Sequence, residues 1–561
     1  MNSPYRSLCA ALAAALLAAG CATRTAPPLE VNLVALNDFH GHLEAHKFDY
    51  ASAGQKPQTL MAGGIDNIGG ALKAWRAEDP DLILVGAGDL VGASPAMSSM
   101  WADEPSIEAL SMAGLFASSV GNHEFDQGRG ELLRQQYGGC ASRRADKACK
   151  LDANFKGAGF AYLAANVVEV STGKPLLPAF RIEEAKGVKI AFIGAVIRGA
   201  TELVLASGIE GLVFTDEAEA INRAKAEAQK MGATVFVVLI HEGGWTEDAF
   251  DQPNCSRLKG PIVGIARRLD PELRLIVSGH THKGFQCEIE GRTITQAEMG
   301  GHVLSRIKLT IDGNSHALRE VSVRNVAIKV GDFPADPAMR DYLQAIKARS
   351  EAALARPVAR LAVRSLSKKY NPAGEAVLGD LIADGVLEAT RGHGAEIGFM
   401  NIGGIRKDLD VGADLVVTQG QAQVVLPFSN TLVLLDMSGA DIRAVLEQQW
   451  QRPNADSESF LLQVSSNLHY TWDKSRALGQ RIVPGTLTLN GAPLDEKRVY
   501  TVTVNNFLSE GGDGFPQFAK APNKRNTNLL DLDSFIAHLV KLEKAGQPAG
   551  SAMPARIERL K

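Results

Sequence analysis

Apolar, β-branched runs alternate with polar clusters and helical stretches in the first part of the chain, from residue 31 to about residue 311. This alternation is typical of a layered α/β domain. Five of the apolar runs are followed directly by residue types that bind metal ions, and these runs cover residues 31–36, 82–88, 116–120, 235–240 and 275–279. Because ligands of open α/β sheets collect beyond the carboxyl ends of the strands, the five polar endings are expected to meet at one edge.

The pattern weakens around Asn325, and a helix is expected to follow, with Asp336 as its N-cap and Pro337 at its first position. Arg356-Pro357 should end this helix, since a residue that precedes proline disfavours helical backbone. A second alternating domain follows. The predicted division is a first domain over 31–325, a linker helix and hinge over 326–357, and a second domain over 358–561.

The second domain contains three apolar runs that lead into polar loops. The runs cover residues 397–400, 424–428 and 500–504, and the loops cover residues 401–406, 429–430 and 505–514. Loops positioned by a scaffold often carry binding residues, so the three loops are candidates for ligand contacts.

The first 20 residues have the layout of a secretory signal peptide, in which Arg6 precedes an apolar run too short to span a bilayer. Small residues before Cys21 resemble the cleavage site of bacterial lipoproteins, which implies a lipidated Cys21 at the start of a tether over residues 21–30. By the same resemblance, Ala22 favours the periplasmic side of the outer membrane. An ordinary signal peptide is the alternative, and it would place the protein in the periplasm or at the cell surface.

At 561 residues the chain is too long for one hydrophobic core, so two domains are expected. Its formal charge of -4 is close to neutral for this length, which argues against a nucleic acid polymer as the main partner. A small anionic ligand is compatible with that charge. No segment after the signal peptide is long and apolar enough for a transmembrane helix, so membrane contact is expected through the lipid anchor alone. The oligomeric state stays open.

Apart from Cys9 in the signal peptide and the anchor cysteine, the cysteines are Cys140, Cys149, Cys255 and Cys287. An even number in an exported protein indicates disulfides, and three pairings are possible. We favour Cys140 with Cys149, which closes a short polar loop, and Cys255 with Cys287, which brackets residues 279–282. A structural zinc site is the alternative, although no CxxC spacing supports it.

The densest chemical signal is the hexapeptide Gly121-Asn122-His123-Glu124-Phe125-Asp126, where a buried strand is expected to meet a loop. The candidate ligands at the five strand ends are Asp38, His40, Asp89, Asn122, His241, His280 and His282. Each alone could be an ordinary turn, cap or loop residue, but five coincident strand ends favour a shared site. Nitrogen and oxygen ligands without thiolate suit two divalent ions, which clamp the oxygens of a displacement at phosphorus. Asp89 is the single candidate ligand at its strand end and is therefore expected to be the carboxylate that bridges the two ions. His123, oriented by Asp126, would face the substrate.

Together, the motifs Asp38-x-His40, Gly88-Asp89, Gly121-Asn122-His123-Glu124, His241 and Gly279-His280-x-His282 resemble the calcineurin-like metallophosphoesterases. With the second-domain loops, the chain resembles more narrowly the 5'-nucleotidase and UDP-sugar hydrolase family, from about residue 31 to about residue 538. The resemblance implies an α/β fold with an N-terminal four-layer αββα metallophosphoesterase domain, a linker helix and a C-terminal α/β (α+β) substrate-binding domain. It also implies two divalent metal ions, zinc or manganese, and a catalytic dyad of His123 and Asp126. One ion would be held by Asp38, His40, Asp89 and His282, and the other by Asp89, Asn122, His241 and His280.

The resemblance assigns the substrate contacts to the second domain. Phe428 and Phe507 match two aromatic residues that sandwich the base, with core packing as the alternative explanation. Asn401 and Arg406 match polar contacts to the substrate, and Asp513 matches the acid that receives the ribose hydroxyls. Where the family usually has one or two arginines, this chain reads Lys368-Lys369-Tyr370-Asn371-Pro372-Ala373. Lysine lacks the planar fork of arginine, so a contact to the substrate is expected to be altered.

The function expected from the residues and the resemblance is that of an exported 5'-nucleotidase that hydrolyses nucleoside 5'-monophosphates, and other nucleotides besides, to nucleoside and phosphate. The alternatives within the same chemistry are pyrophosphate hydrolysis of UDP-sugars or NAD and 2',3'-cyclic-nucleotide phosphodiesterase activity. A catalytically silent nucleotide-binding surface protein is a more remote alternative, against which the unbroken ligand set speaks. Members of the family turn the second domain to deliver the substrate, and here the hinge is expected at Arg356-Pro357.

Overall fold

The computed structural model describes residues 26–561, apart from residues 51, 55, 57, 254, 256, 429, 452–460, 551–553 and 561. The predicted signal peptide and the predicted lipidation site Cys21 lie outside the described residues. Within the described part of the chain, no helix combines the length and the apolar character that crossing a membrane requires.

Two six-stranded sheets pack face to face in the first domain. The first sheet contains, in spatial order, Leu318–Ala327, Val303–Ile311, Leu29–Leu36, Ile83–Ala87, Leu115–Ser119 and Ala161–Leu163. The second contains, in spatial order, Gly284–Ile289, Arg292–Ala297, Leu275–Ser278, Val235–His241, Val188–Val196 and Phe180–Ala185. The core between the sheets consists mainly of Val, Ile, Leu and Ala, as expected for strands that are buried on both faces.

Helices cover the outer faces of both sheets and complete four layers. They are Ile65–Glu78, Ala96–Ser99, Glu104–Met112 and Arg129–Tyr137 on the first sheet, and Glu217–Lys230 and Pro261–Arg268 on the second. The central strands of each sheet run parallel, with Leu33 beside Ile83 and Val237 beside Leu275. Their carboxyl ends therefore lie at a common edge, and the αββα fold expected for this domain is confirmed.

Short strand pairs and two disulfides complete the smaller features. The pairs are His46–Tyr50 with Gln58–Ala62, Leu212–Phe214 with Val167–Glu169, Pro357–Arg360 with Val416–Thr418, and Ser365–Leu366 with Leu409–Asp410. The disulfides join Cys140 to Cys149 and Cys255 to Cys287, which is the pairing favoured from the sequence.

The helix after the first domain spans Pro337–Leu354, and the Asp336 carboxylate accepts a hydrogen bond from the Met339 amide (3.1 Å). The Met339 and Ile346 side chains are buried in the helical layer of the first domain. The next strand, Pro357–Arg360, already pairs with a strand of the second domain. The chain thus passes from one domain to the other around Arg356-Pro357.

A mixed five-stranded sheet flanked by helices forms the second domain. Its strands are, in spatial order, Gln463–Val464, Ile397–Met400, Val499–Asn505, Thr431–Ser438 and Lys524–Leu530. The helices are Val377–Thr390, Gln419–Val425, Gly439–Gln448, Asn506–Ser509, Pro516–Ala519 and Asp531–Lys544. A four-stranded sheet of Ala492–Pro493, Thr488–Leu489, Leu468–Trp472 and Ile557–Arg559 shares its core.

Two of the three apolar runs in this domain are strands, but the run over residues 424–428 is not. It contains the end of helix Gln419–Val425, which begins with a capping box between Thr418 and Gln421, and the loop that follows. A short apolar run does not distinguish a buried helix from a strand, and here the capping residues decide.

Candidate active site

The predicted metal ligands of both sheets meet at one edge of the sandwich. Five of them have left-handed backbone, namely Asp38 (φ 49°), His40 (φ 46°), Asp89 (φ 49°), His280 (φ 77°) and His282 (φ 55°). Such angles are strained for residues that carry a Cβ, and they cluster at functional sites. Their concentration marks this edge as a site whose backbone is shaped for a purpose other than packing.

Two groups of ligand atoms converge at this edge, and Asp89 belongs to both. The groups are Asp38, His40, Asp89 and His282, and Asp89, His241 and His280, with the ligand atoms of each group within 4.8 Å of one another. The Oδ1 atom of Asn122 lies 3.0 Å from His280 Nδ1 and so borders the second group. The structure therefore brings all seven predicted metal ligands together.

The donor set fits two divalent cations. The Nδ1 atoms of His40 and His241 lie 2.9 and 2.8 Å from backbone carbonyl oxygens and donate to them, which directs the Nε2 atoms toward the other ligand atoms. His241 Nε2 lies 3.0 Å from Asp89 Oδ2, and against the effect of burial this carboxylate raises the pKa of His241 to about 10; a divalent cation held between the two atoms would take the place of the proton that they share. Burial lowers the pKa of His40 to about 3 and that of His280 to about 4, so both imidazoles are neutral, as metal binding requires.

His123 and Asp126 form a pair beside this centre. His123 Nδ1 lies 2.8 Å from Asp126 Oδ2, and the backbone N–H of His123 donates to Asp89 Oδ1 (2.9 Å). Burial acts to lower the pKa of His123, but the Asp126 and Asp89 carboxylates outweigh it, and the pKa is raised. The imidazole is therefore disposed to carry a proton beside the candidate metal centre.

Glu124 joins the two central loops, a role that sequence reasoning did not define. Its buried carboxylate accepts hydrogen bonds from the backbone amides of Asp89 (3.0 Å), Leu90 (2.8 Å) and Gly121 (2.5 Å). One side chain thereby connects the loop that carries Asp89 with the hexapeptide. The sequence signal for this role is its position directly after His123.

A cavity of about 290 Å³ lies between the domains and is lined by both of them. The predicted site residues that line it are Asp89, Asn122, His123, Asp126, His280 and His282 from the first domain, and Asn401, Arg406, Phe428, Phe507 and Asp513 from the second. Asp38, His40 and His241 are buried behind this surface. Asn430, in one of the loops expected to carry ligand contacts, also lines the cavity. So do Leu203, Val204 and Leu205, which sequence reasoning missed because their place in the wall depends on how the domains meet.

Two half-buried aromatic rings of the second domain border the cavity. The Phe428 ring stacks on that of His123, with centroids 5.8 Å apart and planes inclined by 13°. The guanidinium carbon of Arg406 lies 5.7 Å from the Phe428 ring centroid. The Phe507 ring lies against Gly512, where an added Cβ would be 2.5, 2.6 and 2.6 Å from three ring atoms.

A short hydrogen-bond chain orients the polar side chains near Phe507. Asn505 Nδ2 donates to Asn401 Oδ1 (2.9 Å), and Asn401 Nδ2 donates to Asp513 Oδ2 (2.7 Å). Asp513 itself has left-handed backbone (φ 54°). The chain fixes the Asp513 carboxylate at the cavity wall.

Polar contacts link the two domains around the cavity. Gln127 Nε2 donates to the Phe428 carbonyl (3.1 Å). The backbone N–H and the hydroxyl of Ser207 donate to the Glu510 carboxylate (2.9 and 3.0 Å). The structure thus has the domains closed on each other, with the candidate metal centre facing the aromatic rings.

Lys368, which stands in the stretch where an arginine was expected, is not among the described residues that line the cavity. Its ammonium group donates to the Ile405 carbonyl (2.5 Å). Burial and the neighbouring Arg406 lower its pKa to about 8. The lysine supports the loop that carries Arg406.

The sequence matches two protein-family models. Residues 31–284 match the calcineurin-like phosphoesterase family, and residues 354–520 match the C-terminal domain of the 5'-nucleotidase family. The Bacillus subtilis protein named endonuclease YhcR is 31% identical over 491 residues, and the match spans 87% of this chain but 38% of that protein. The Listeria monocytogenes cell wall protein Lmo0130 is 29% identical over 552 residues, which are 94% of this chain and 69% of that protein. The solved structure of a 5'-nucleotidase precursor from Thermus thermophilus superposes with a TM-score of 0.72 and 25% identity, over 95% of this chain and 100% of that one.

Proposed function

Because the chain belongs to the family of phosphoric-ester hydrolases that join a calcineurin-like phosphoesterase domain to a 5'-nucleotidase C-terminal domain, we propose that it is a 5'-nucleotidase. Its substrates would be nucleoside 5'-monophosphates, and its products nucleoside and phosphate. The observation that carries the proposal is the shared cavity, in which a candidate metal centre faces two aromatic rings. The metal centre would bind the phosphate of a nucleotide, and the aromatic rings would bind its base.

The seven clustered side chains would hold two divalent ions, zinc or manganese, with Asp89 shared between them. When bound, the ions supply Lewis acidity toward the phosphate oxygens and a water of lowered pKa. Asp38, His40 and His282 would complete one site, and Asn122, His241 and His280 the other.

His123 would act on the phosphate from the cavity side. Its raised pKa favours the imidazolium form, which stabilises the negative charge that develops as the bond to the ribose oxygen breaks. Asp126 would hold the ring in place through Nδ1, so that Nε2 is directed to the substrate.

The second domain would bind the nucleoside. Phe428 and Phe507 would stack on the two faces of the base, an interaction of about 1–3 kcal/mol per base that tolerates different bases. Asp513 would accept hydrogen bonds from the ribose hydroxyls, with Asn401 and Arg406 as further polar contacts.

The size of the cavity supports a mononucleotide substrate. Ligand pockets range from about 300 to 1,000 Å³, and this cavity of about 290 Å³ lies at the lower end. A UDP-sugar or NAD is larger and would extend beyond this volume. A 2',3'-cyclic nucleotide would fit the same volume as a mononucleotide.

Export and anchoring belong to the same proposal. Residues 1–20 would direct secretion, and lipid on Cys21 would hold the enzyme at the outer membrane, facing the periplasm, where nucleotides that cannot cross membranes are salvaged. The domain division over 31–325, 326–357 and 358–561 would place a hinge at Arg356-Pro357. Radiolabelled palmitate should be incorporated into the wild-type protein and not into its Cys21→Ser variant, and an unlabelled wild-type protein would contradict the anchor.

The decisive experiment is a profile of the products from AMP, UDP-glucose, NAD and 2',3'-cAMP with the metal-free enzyme and after addition of Zn²⁺ or Mn²⁺. We expect AMP to be hydrolysed fastest, and only with metal. Faster cleavage of UDP-glucose, NAD or 2',3'-cAMP would replace the proposed substrate. Metal-independent activity would refute the mechanism, and inactivity with all four would favour a silent binding protein.

A further inference from the structure

A second, much smaller cavity lies directly behind the dyad. It has a volume of about 20 Å³, and His123 and Asp126 form part of its wall. Pro427 and Phe428 of the second domain form another part, so the cavity is complete only when the domains are in contact.

Three buried polar atoms belong to side chains that line this cavity, namely Ser94 Oγ, Gln135 Oε1 and Arg144 Nε. Each side chain is at least nine-tenths buried. None of the three atoms has a hydrogen-bond partner among the residues that the structure describes. A buried polar atom left without a partner destabilises the folded state, so three of them around one cavity point to a ligand inside it.

Arg144 is held through its Nη atoms, and its Nε atom is left without a partner among the described residues. Its Nη1 atom donates to Asp103 (2.9 Å), and its Nη2 atom donates to Glu131 (2.9 Å) and to the Ala102 carbonyl (3.0 Å). The Cys140–Cys149 disulfide closes the loop that carries this arginine. The guanidinium therefore has a fixed orientation.

We propose that this cavity binds one structural water molecule that connects Arg144 to Asp126, which makes Arg144, Gln135 and Ser94 positioning residues for the dyad. A water molecule requires about 10–15 Å³ and two to four polar partners, and the cavity meets both conditions. The water accepts from Arg144 Nε–H and from the Ser94 hydroxyl, and it donates to Gln135 Oε1 and to the Asp126 carboxylate. All four of its hydrogen bonds are thereby used.

The water would fix the orientation of the His123–Asp126 pair, and the catalytic meaning of that orientation rests on the proposed function. The Asp126 carboxylate is held from two sides, by His123 Nδ1 and by the water, so the direction of the imidazole depends on residues that never touch the substrate. Because Phe428 closes the same cavity, the dyad would be fully fixed when the base-binding loop is docked.

The test combines a crystal structure of the metal-loaded enzyme, at a resolution that orders water, with kinetics of Gln135 variants. We expect density for a water molecule within about 3.2 Å of Arg144 Nε, Gln135 Oε1 and the Asp126 carboxylate. Gln135→Met should lose this water and lower kcat for AMP by about tenfold or more, while KM and bound metal stay unchanged. Gln135→Glu keeps an acceptor and should retain the water and most of kcat.

Tyr137→Phe serves as the control, since Tyr137 is on the same helix and is 67% exposed. An empty cavity in the wild-type density, or loss of the water in Gln135→Met with unchanged kcat, would overturn the proposal. The density does not depend on a substrate, so a wild-type enzyme that hydrolyses no nucleotide would count against the proposed function and leave the water site to be judged by the density.

Discussion

Replacing Gly512 by alanine should displace the Phe507 ring from the wall of the cavity between the domains. The alanine Cβ would lie 2.5, 2.6 and 2.6 Å from three ring atoms, whereas carbon atoms in favourable contact are about 3.5–4.0 Å apart. The ring must therefore move by about 1 Å or turn away. The Gly512 backbone is outside the left-handed region, so the added methyl group strains the ring contact and not the main chain.

The expected loss follows from base stacking, which contributes about 1–3 kcal/mol per base and corresponds to a rise in KM for AMP of about 5- to 150-fold. Hydrolysis of p-nitrophenyl phosphate, which has no base, should keep its kcat and KM. Steady-state kinetics with both substrates measures the difference. Gly392→Ala is the matched control, because among the described residues no heavy atom lies within 4 Å of a Cβ at that position.

An unchanged KM for AMP in a Gly512→Ala enzyme whose crystal structure has the ring displaced would refute the role of Phe507 in base binding. An equal loss with both substrates would show that the substitution disturbs the phosphate end, and the argument from the ring contact would fail as well.

Three further changes test other parts of the site. Asp89→Asn should lower the content of both metals, measured by plasma emission, and abolish activity, since this carboxylate belongs to both ligand groups; two retained metals would contradict the bridge. His123→Ala should lower kcat by about 10²- to 10⁴-fold with bound metal unchanged, and undiminished turnover would exclude it from catalysis. Glu510→Ala removes the contact to Ser207 across the domains and should raise KM by up to about fivefold, with a larger radius of gyration in solution scattering; unchanged values would mean that this exposed contact does not hold the closed state.

The sequence predicts the candidate metal ligands well, because each of them directly follows a strand that can be recognised from its local pattern. Runs such as residues 235–240 are short, apolar and β-branched, and the residue type after each run carries the chemistry. No such pattern marks Leu203–Leu205 as cavity residues. They line the cavity only because the second domain, which begins more than 150 residues later, packs against them. Lys368 is a similar case, since its place behind the Arg406 loop follows from tertiary packing.

The backbone strain at the candidate metal ligands cannot be read from the sequence. This strain explains the role of Glu124, which stabilises the loops that carry these ligands. A left-handed residue with a Cβ costs on the order of 1–3 kcal/mol, and Asp38, His40 and Asp89 all have such backbone. The loops compensate by bonding to each other, since the Asp38 amide donates to the Gly88 carbonyl (3.0 Å) and the His40 amide to the Asp89 carbonyl (2.9 Å). Glu124 adds bonds from its carboxylate to the Asp89 loop and to the hexapeptide. Because these bonds come from the chain itself, the ligand geometry is built before any ion binds, and binding then gains from a preorganised site.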